Sequence, residues 1–469
     1  MMNSNGGDVK AVTIIFRDVE YDIREYGAIG DGKTSNTIAI NQAIEECAAE
    51  GGGTVKIPAG IWLTGPIRLK SNITLYLEDG ATILFSKNIE EYPLIYSSFE
   101  GKQVVRCQSP LDAEDVVNVS IIGNGIFDGS GDAWRPVKKF KMTDFQWSQL
   151  IQSSGVIDKE QEIWWPSEGA LEGSKAVARL EQKGSKDIEE YQKYKHFLRP
   201  NMVSFRKSKD ILIDGPTFQN SPAWCIHPWL CENVTIRNIV VKNPWYSQNG
   251  DGLDLESCKG ANVENCTFDV GDDAICLKSG KDEEGRRLAT PCENITIKNC
   301  KVYSGHGGFV IGSEMSGGVR NVKITDCTFF GTDTGLRFKS TRGRGGIVED
   351  IVVDNIKMVG IKNEAIVFHM FYELTEDEIK KNIAFSDETP IFRDITIQNI
   401  TCSGAKRAIL LKGLPEKPLQ NLLFKDIYIK AKYGIYGSNV HNTDFSNVEV
   451  DVLLGNPFEL EDCQGVTRR

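Results

Sequence analysis

Val234-Thr235-Ile236-Arg237-Asn238, Ile295-Thr296-Ile297-Lys298-Asn299 and Val322-Lys323-Ile324-Thr325-Asp326 are copies of one phrase, a β-branched alternation closed by Asn or Asp. It is first heard as Val119-Ser120-Ile121-Ile122-Gly123-Asn124. It returns as Ile351-Val352-Val353-Asp354-Asn355, Ile395-Thr396-Ile397-Gln398-Asn399 and Leu422-Leu423-Phe424-Lys425-Asp426. A period of two is that of a strand, not a helix. From Asn238 the closing residues fall at 265, 299, 326, 355, 399 and 426, at intervals of 27, 34, 27, 29, 44 and 27. A base period near 27 with occasional excess is a solenoid carrying loop insertions. The leucine ladder of a leucine-rich repeat is missing, and a propeller blade needs a longer period. The pattern predicts an all-β fold, a single-stranded right-handed parallel β-helix whose coils each add about 4.8 Å.

The chain 1–469 is expected to form one such domain. A β-helix exposes strand edges at its ends and needs covers. Thr37 to Glu50 reads as an amphipathic helix through Ile38, Ile40, Ala43, Ile44 and Cys47, stopped by Gly51-Gly52-Gly53. Residues 21–85 are therefore the N-terminal cap and first coils. Asp444 to Arg469 reads as too short and irregular for further coils and is expected to close the other end. Residues 130–200 break the repeat, with Trp134, Trp147, Trp164 and Trp165 and a helix expected over Leu171 to Tyr194. An excursion of roughly 70 residues is usually functional, here a cleft wall or lid, although its tryptophans would equally serve a core of their own.

The twelve cysteines contain no CxxC pair, and the five histidines are scattered, so neither a zinc site nor a disulfide framework is indicated. Cys266, Cys300 and Cys327 follow closing residues directly, where other repeats place Ile239, Ile356, Ile400 and Ile427. They read as free thiols replacing core aliphatics. A net charge of −11 argues against nucleic acid as partner. No apolar run is long enough to span a bilayer. Met1 to Lys10 lacks the order of a signal peptide, so the chain is either cytoplasmic or periplasmic or secreted after losing a leader.

Four strands align on their closing serines: Asp251 to Ser257, Asp273 to Ser279, Gly307 to Ser313 and Thr334 to Ser340. Leu253, Ile275, Phe309 and Leu336 then form one inward column, and Leu255, Leu277, Ile311 and Phe338 another. Asp254, Glu256, Lys278, Arg337 and Lys339 have the opposite parity and should point out of the coil. Asp251 and Asp273 share a column, and both Asp272 and Asp273 can face a cleft only from the turn before the strand, at Gly271. His306 falls beside Asp272 one coil later. Three clustered carboxylates repel, so at least one should keep a proton near neutrality while another stays ionised, the division that glycoside hydrolysis needs. Arg337 and Lys339 suit a substrate carboxylate. Any one of these aspartates alone is as readily a turn-former. The conjunction is the specific signal.

Asn249-Gly250-Asp251, Gly271-Asp272-Asp273, Gly305-His306-Gly307 and Arg337-Phe338-Lys339 resemble, in the same order, the signatures Asn-Thr-Asp, Gly-Asp-Asp, Gly-His-Gly and Arg-Ile-Lys of glycoside hydrolase family 28, the polygalacturonases. Tyr26-Gly27-Ala28, Gly30-Asp31-Gly32 and Gly51-Gly52-Gly53 resemble the pectin-degrading β-helix enzymes, so the likeness runs from Tyr21 to Val440 apart from the excursion. It implies a pectin-lyase-like solenoid and an inverting hydrolase of α-1,4-linked galacturonate that needs no cofactor or metal. In that reading Asp272 is the general acid, Asp251 and Asp273 hold and deprotonate water, and His306 tunes Asp272. Arg337 and Lys339, with Asn249 and Lys278, bind substrate. Gly250 for Thr and Phe338 for Ile remove no titrating group, so activity should survive.

Pro222-Ala223-Trp224-Cys225-Ile226-His227-Pro228 resembles bacterial exo-acting members. The excursion with Trp164 and Trp165, and the loop Lys278 to Cys292 with Arg286 and Arg287, are expected to bind substrate and close one end of the cleft. That would release single galacturonates from the non-reducing end of a pectic polysaccharide or oligosaccharide. Three other readings stay open. One is a rhamnogalacturonan-directed hydrolase. Another is a calcium-dependent pectate lyase using Asp251, Asp254, Asp272 and Asp273 as oxygen donors with Arg337 as base. The third is a non-catalytic carbohydrate-binding β-helix.

Overall fold

The computed structural model describes residues 19–469; the start of the chain, Met1 to Lys10, lies outside the described residues. The repeated phrases stack as parallel strands in one continuous register. Val119, Ile211, Val234, Ala261, Ile295, Val322, Ile351, Ile395 and Leu422 follow one another as direct partners. Every member of that column is buried. The fold is a parallel β-helix.

The closing residues are Asn or Asp because of the corner they turn. Asn238, Asn265, Asn299, Asp326, Asn355, Asn399 and Asp426 all have φ between 52° and 58°. Among residues with a Cβ, Asn and Asp tolerate this left-handed region best. Their side chains also bond along the axis: Asn299 donates to Asn265 at 2.7 Å, and Asn355 to Asp326 at 2.7 Å. Directly after the corners, Cys266, Cys300 and Cys327 are buried and free, as substitutes for aliphatics.

Thr37–Ala49 is the expected capping helix and buries Ala39, Ile40, Ala43, Ile44 and Cys47. At Gly52 (φ 103°) a Cβ would stand 2.3 Å from the Asn72 carbonyl, so the chain leaves the helix where only glycine fits. No helix among the described residues is long and apolar enough to cross a membrane.

Two expectations are corrected. The helix expected over Leu171 to Tyr194 runs only over Glu168–Gln182. The chain then turns at Gly184 (φ 66°), and the Asp187 carboxylate caps a separate short turn at Ile188–Tyr191. The C-terminal segment does not merely close the end. Asp444–Val452 pairs in parallel with residues 423–431, Phe458–Glu461 pairs with 435–438, and Thr467–Arg468 pairs with Asp444 and Phe445. These strands continue the coils, with a more polar alternation because only the short strand Thr467–Arg468 follows on Asp444–Val452.

One element was not anticipated. Leu94–Phe99 and Lys102–Cys107 form an antiparallel hairpin outside the helix. It shares a second hydrophobic cluster with the excursion, in which Tyr92, Leu94, Val105 and Cys107 meet Trp134, Val177, Tyr191 and Leu198.

Candidate active site

The corner before a strand sets the site. Gly252 N–H donates to the Asp273 carbonyl, and Ala274 N–H to that of Gly307, so Asp251 and Asp273 occupy neighbouring rungs of one column. His306 N–H donates to the Asp272 carbonyl at 2.9 Å, which lays one turn on the other. Their side chains meet as well, with His306 Nδ1 3.0 Å from Asp272 Oδ1. Carboxylate oxygens of Asp251, Asp272 and Asp273 lie within 4.8 Å of one another.

Arg337 and Lys339 rise from the strand two coils beyond Asp273 and clamp it. Arg337 Nη1 is 3.2 Å from Asp273 Oδ1, and Lys339 Nζ is 2.8 Å from Oδ2. Burial by itself would raise the Asp273 pKa, but the two cations outweigh it and hold the carboxyl well below its usual range. Asp251 has no such clamp. Burial, reinforced by the charges of Asp254 and Asp272, pushes it well up. Asp272 is pulled both ways: burial raises it, while the hydrogen bond and charge of His306 prevail and leave it below the ordinary value. The cluster is therefore divided, with Asp251 raised and Asp272 and Asp273 lowered. In the free site the proton favours Asp251 rather than Asp272.

Asp254, Glu256, Lys278 and Lys339 point away from the apolar interior, as parity requires, yet they are buried under the segments covering the coil. Lys278 Nζ lies 3.0 Å from Asp254 Oδ1 and 3.8 Å from Asp251 Oδ2, and 3.5 Å above the Trp224 ring. One ammonium between two buried carboxylates cannot neutralise both, and burial takes Asp254 up to about 6. Asn249 lines the cleft, and its side-chain oxygen accepts from the buried Arg199 at 2.9 Å.

The cleft has a volume of about 380 Å³ and includes groups that the motifs did not point to. Lys141, from the excursion, stands 3.3 Å from His306 Nε2 and donates to the Gly271 carbonyl at 3.2 Å. Phe140 beside it is 79% exposed. Tyr372, from the loop after Glu364–His369, sets its ring 5.0 Å from Lys339 Nζ. Glu100 and Lys281 also line the space. A basic residue next to Phe140 inside an excursion was the only sequence signal for Lys141.

Four expected substrate contacts lie elsewhere, among them Arg287, which lines a separate pocket with Trp229 and Glu284. Trp164 and Trp165 are buried inside the excursion, where Trp165 packs on Phe197 and Trp164 belongs to a small antiparallel sheet; neither lines the cleft. Their large apolar area is consumed by the excursion's own packing. Arg286 donates to the Gly343 carbonyl and pairs with Glu388 at 3.1 Å, which pins two loops together outside the cleft.

The N-terminal side of the cleft is walled. At the hairpin tip Phe99 stacks on Trp224 with ring centroids 4.8 Å apart, and the Arg106 guanidinium lies over the Phe99 ring at 3.7 Å. Lys281 N–H donates to the Gly101 carbonyl, and Ser98 to Glu256.

The model of glycosyl hydrolases family 28 matches residues 142–450, and that of a rhamnogalacturonase A/epimerase, pectate lyase-like family matches residues 21–106. An exo-poly-α-D-galacturonosidase of Dickeya chrysanthemi is 28% identical over 95% of this chain and 73% of its own. An endo-polygalacturonase of Pectobacterium carotovorum is 27% identical over 84% of each. The crystal structure of an exopolygalacturonase from Thermotoga maritima superposes with a TM-score of 0.76 at 32% identity, covering 98% of this chain and 93% of that one. The chain belongs to glycosyl hydrolase family 28 and is a glycosidase.

Proposed function

We propose that this enzyme hydrolyses α-1,4-linked galacturonate in pectic chains, releasing single galacturonates from the non-reducing end with inversion. The observation that carries the hydrolytic reading is the divided carboxylate cluster under a cation pair. Asp273, held ionised, takes the proton of an attacking water that Asp251 helps to orient. Asp272 protonates the leaving oxygen, and His306 with Lys141 governs its proton. Arg337, Lys339 and Tyr372 face the sugar whose carboxylate the cations attract. A bound carboxylate also offsets the cationic field and excludes water, both of which raise Asp272 toward the protonated state of an acid.

The raised pKa of Asp251, caused by burial and the charges of Asp254 and Asp272, favours a second assignment, with Asp251 as the acid. A substrate with a phenolic leaving group needs no proton donor and separates the two. Asp272→Asn should stay active on aryl galacturonide and lose polygalacturonate hydrolysis. If Asp251→Asn shows that pattern instead, the roles exchange.

Inverting enzymes generally hold their two carboxyls about 6.5–9.5 Å apart and retaining ones about 5–5.5 Å. Separation alone would point to retention here. Against this, Arg337 and Lys339 hold both oxygens of Asp273 in place, so the carboxylate is not free to advance onto the anomeric carbon, whereas a water can reach its remaining lone pairs. Proton NMR of a fresh digest decides: the β-anomer should appear first, and α-first product overturns inversion.

The exo reading is supported by the wall that Phe99, Gly101 and Trp224 build at one end. Early digests of polygalacturonate should hold monomer with little loss of viscosity. A ladder of oligomers would overturn it, and faster cleavage of rhamnogalacturonan fragments would reassign the substrate.

A further inference from the structure

Beyond the cation pair, the rungs of the site continue along the molecule. The column of Asp251 and Asp273 passes through Gly307 and Thr334 to Glu364, Arg407 and Tyr433. The column of Lys339 passes through His369 to Lys412, and that of Arg337 through Val367 and Leu410 to Tyr436. Arg407, Lys412, Tyr433 and Tyr436 thus lie on the same face as the cleft, on two successive coils. At strand spacing Arg407 stands roughly 19 Å from Asp273, and Lys412 roughly 10 Å from Lys339.

The four side chains are half-buried. The Arg407 guanidinium sits 5.5 Å from the Tyr433 ring centroid and 5.9 Å from that of Tyr436. Tyr436 is fixed in turn by its hydroxyl, which donates to Glu461 at 2.7 Å. Among the described residues neither Arg407 nor Lys412 forms an ion pair. On the opposite flank, by comparison, the buried Arg206 is already neutralised by Asp112 and Glu114. A planar cation held between rings and left without a carboxylate is ready to bind one from outside. Tyrosine faces add surface on which a pyranose ring can stack. Glu364, one rung before Arg407, carries the opposite sign, so the cationic face is a separate station and not a continuous stripe.

We propose that Arg407, Lys412, Tyr433 and Tyr436 form a distal subsite that binds a uronate several sugars along the leaving part of the polymer. The proposal rests on the galacturonan reading above. It makes long chains better substrates than short ones, because each added sugar advances by about one rung and only longer chains reach the station. The closed flank offers no such track.

The test measures initial rates of wild type, Arg407→Ala, Arg407→Lys and Lys412→Ala on di-, tri- and hexagalacturonate. Digalacturonate kcat/KM should stay within twofold in every variant. KM for hexagalacturonate should rise roughly five- to tenfold in both alanine variants and lose part of its salt dependence, with Arg407→Lys in between. An equal loss on digalacturonate, or no loss on hexagalacturonate, overturns the subsite. If wild type hydrolyses none of these, the galacturonan reading falls, and calorimetric binding of hexagalacturonate decides the subsite. Tighter binding by wild type than by Arg407→Ala supports it; equal or absent binding overturns it.

Discussion

On the N-terminal side of Asp251 the rungs His227, Arg206 and Asp112 are buried. The hairpin reaches across to them, with Ser98 on Glu256 and Phe99 on Trp224. On the C-terminal side the equivalent rungs carry Arg407, Lys412 and Tyr436, half-open, with no hairpin above them. Both flanks are made of the same coil, with the same inward columns and the same left-handed corners. What differs is where the chain leaves the coil and what those departures carry back over it. A solenoid is an open track by construction, since each repeat contacts only its neighbours. Covering one end of the track requires material from outside the repeat, and here the hairpin lies over one flank.

The junction of the flanks is where the largest effect should fall. Asp273→Asn removes the ionised carboxylate and leaves Arg337 and Lys339 facing an amide. Turnover of polygalacturonate should drop by roughly 10³-fold, within the usual worth of acid–base groups. Reducing-sugar assays check this, with circular dichroism to verify that the coil persists.

Next is the wall itself. Replacing the tip Phe99-Glu100-Gly101-Lys102 with a short Gly-Ser turn should keep hydrolysis and change its products, from monomer to a mixture containing dimers and trimers. Chromatography of early digests reads the change. Monomer alone from the shortened enzyme would break the comparison, since the hairpin would then not be what closes the flank.

A smaller effect is expected from the buried charges beneath the wall. Asp254, raised to about 6, binds a proton more readily in the folded than in the unfolded chain, so its contribution to stability is present at low pH and falls as pH rises from about 4 through 6. His369, on the open flank, is lowered to about 4, chiefly by burial. The folded state therefore holds fewer protons there, and its contribution rises over roughly pH 4 to 6.5. The two oppose each other in wild type. Melting temperatures should fall less steeply, or rise more steeply, over pH 4 to 6 in Asp254→Asn than in wild type. Parallel curves would show that Asp254 does not titrate there.

The smallest kinetic effect belongs to Trp164→Phe. With the indole inside the excursion and away from the cleft, kcat/KM should stay within twofold while the melting temperature drops. A rise in KM above fivefold would return Trp164 to the substrate.

How much could be read in advance depends on how local the cause is. Asn299 turns a corner because its own backbone needs a residue that tolerates positive φ, and Ile295 points inward because Ile297 does. Such causes lie within a few residues, so aligning four strands placed Asp251 with Asp273 and Asp272 with His306. Arg337 with Lys339 followed from the same alignment. Trp164 misled because a tryptophan that packs a core and one that stacks on sugar look alike in sequence. Arg286 misled because its partners, Gly343 and Glu388, lie far along the chain. Lys141 and Tyr372 were passed over because nothing local says where an excursion lands.

The sequence by itself determined the coil, its corners, the inward columns and the rungs on which the titrating residues sit, because period and backbone preference are properties of short stretches. Only the tertiary structure decided that Lys339 and Arg337 lower the Asp273 pKa while burial and neighbouring carboxylates raise that of Asp251, that Lys278 is divided between two aspartates, and that a hairpin covers one flank. Those outcomes depend on distances between residues separated by tens to well over a hundred positions, and on how much water the packing leaves among them.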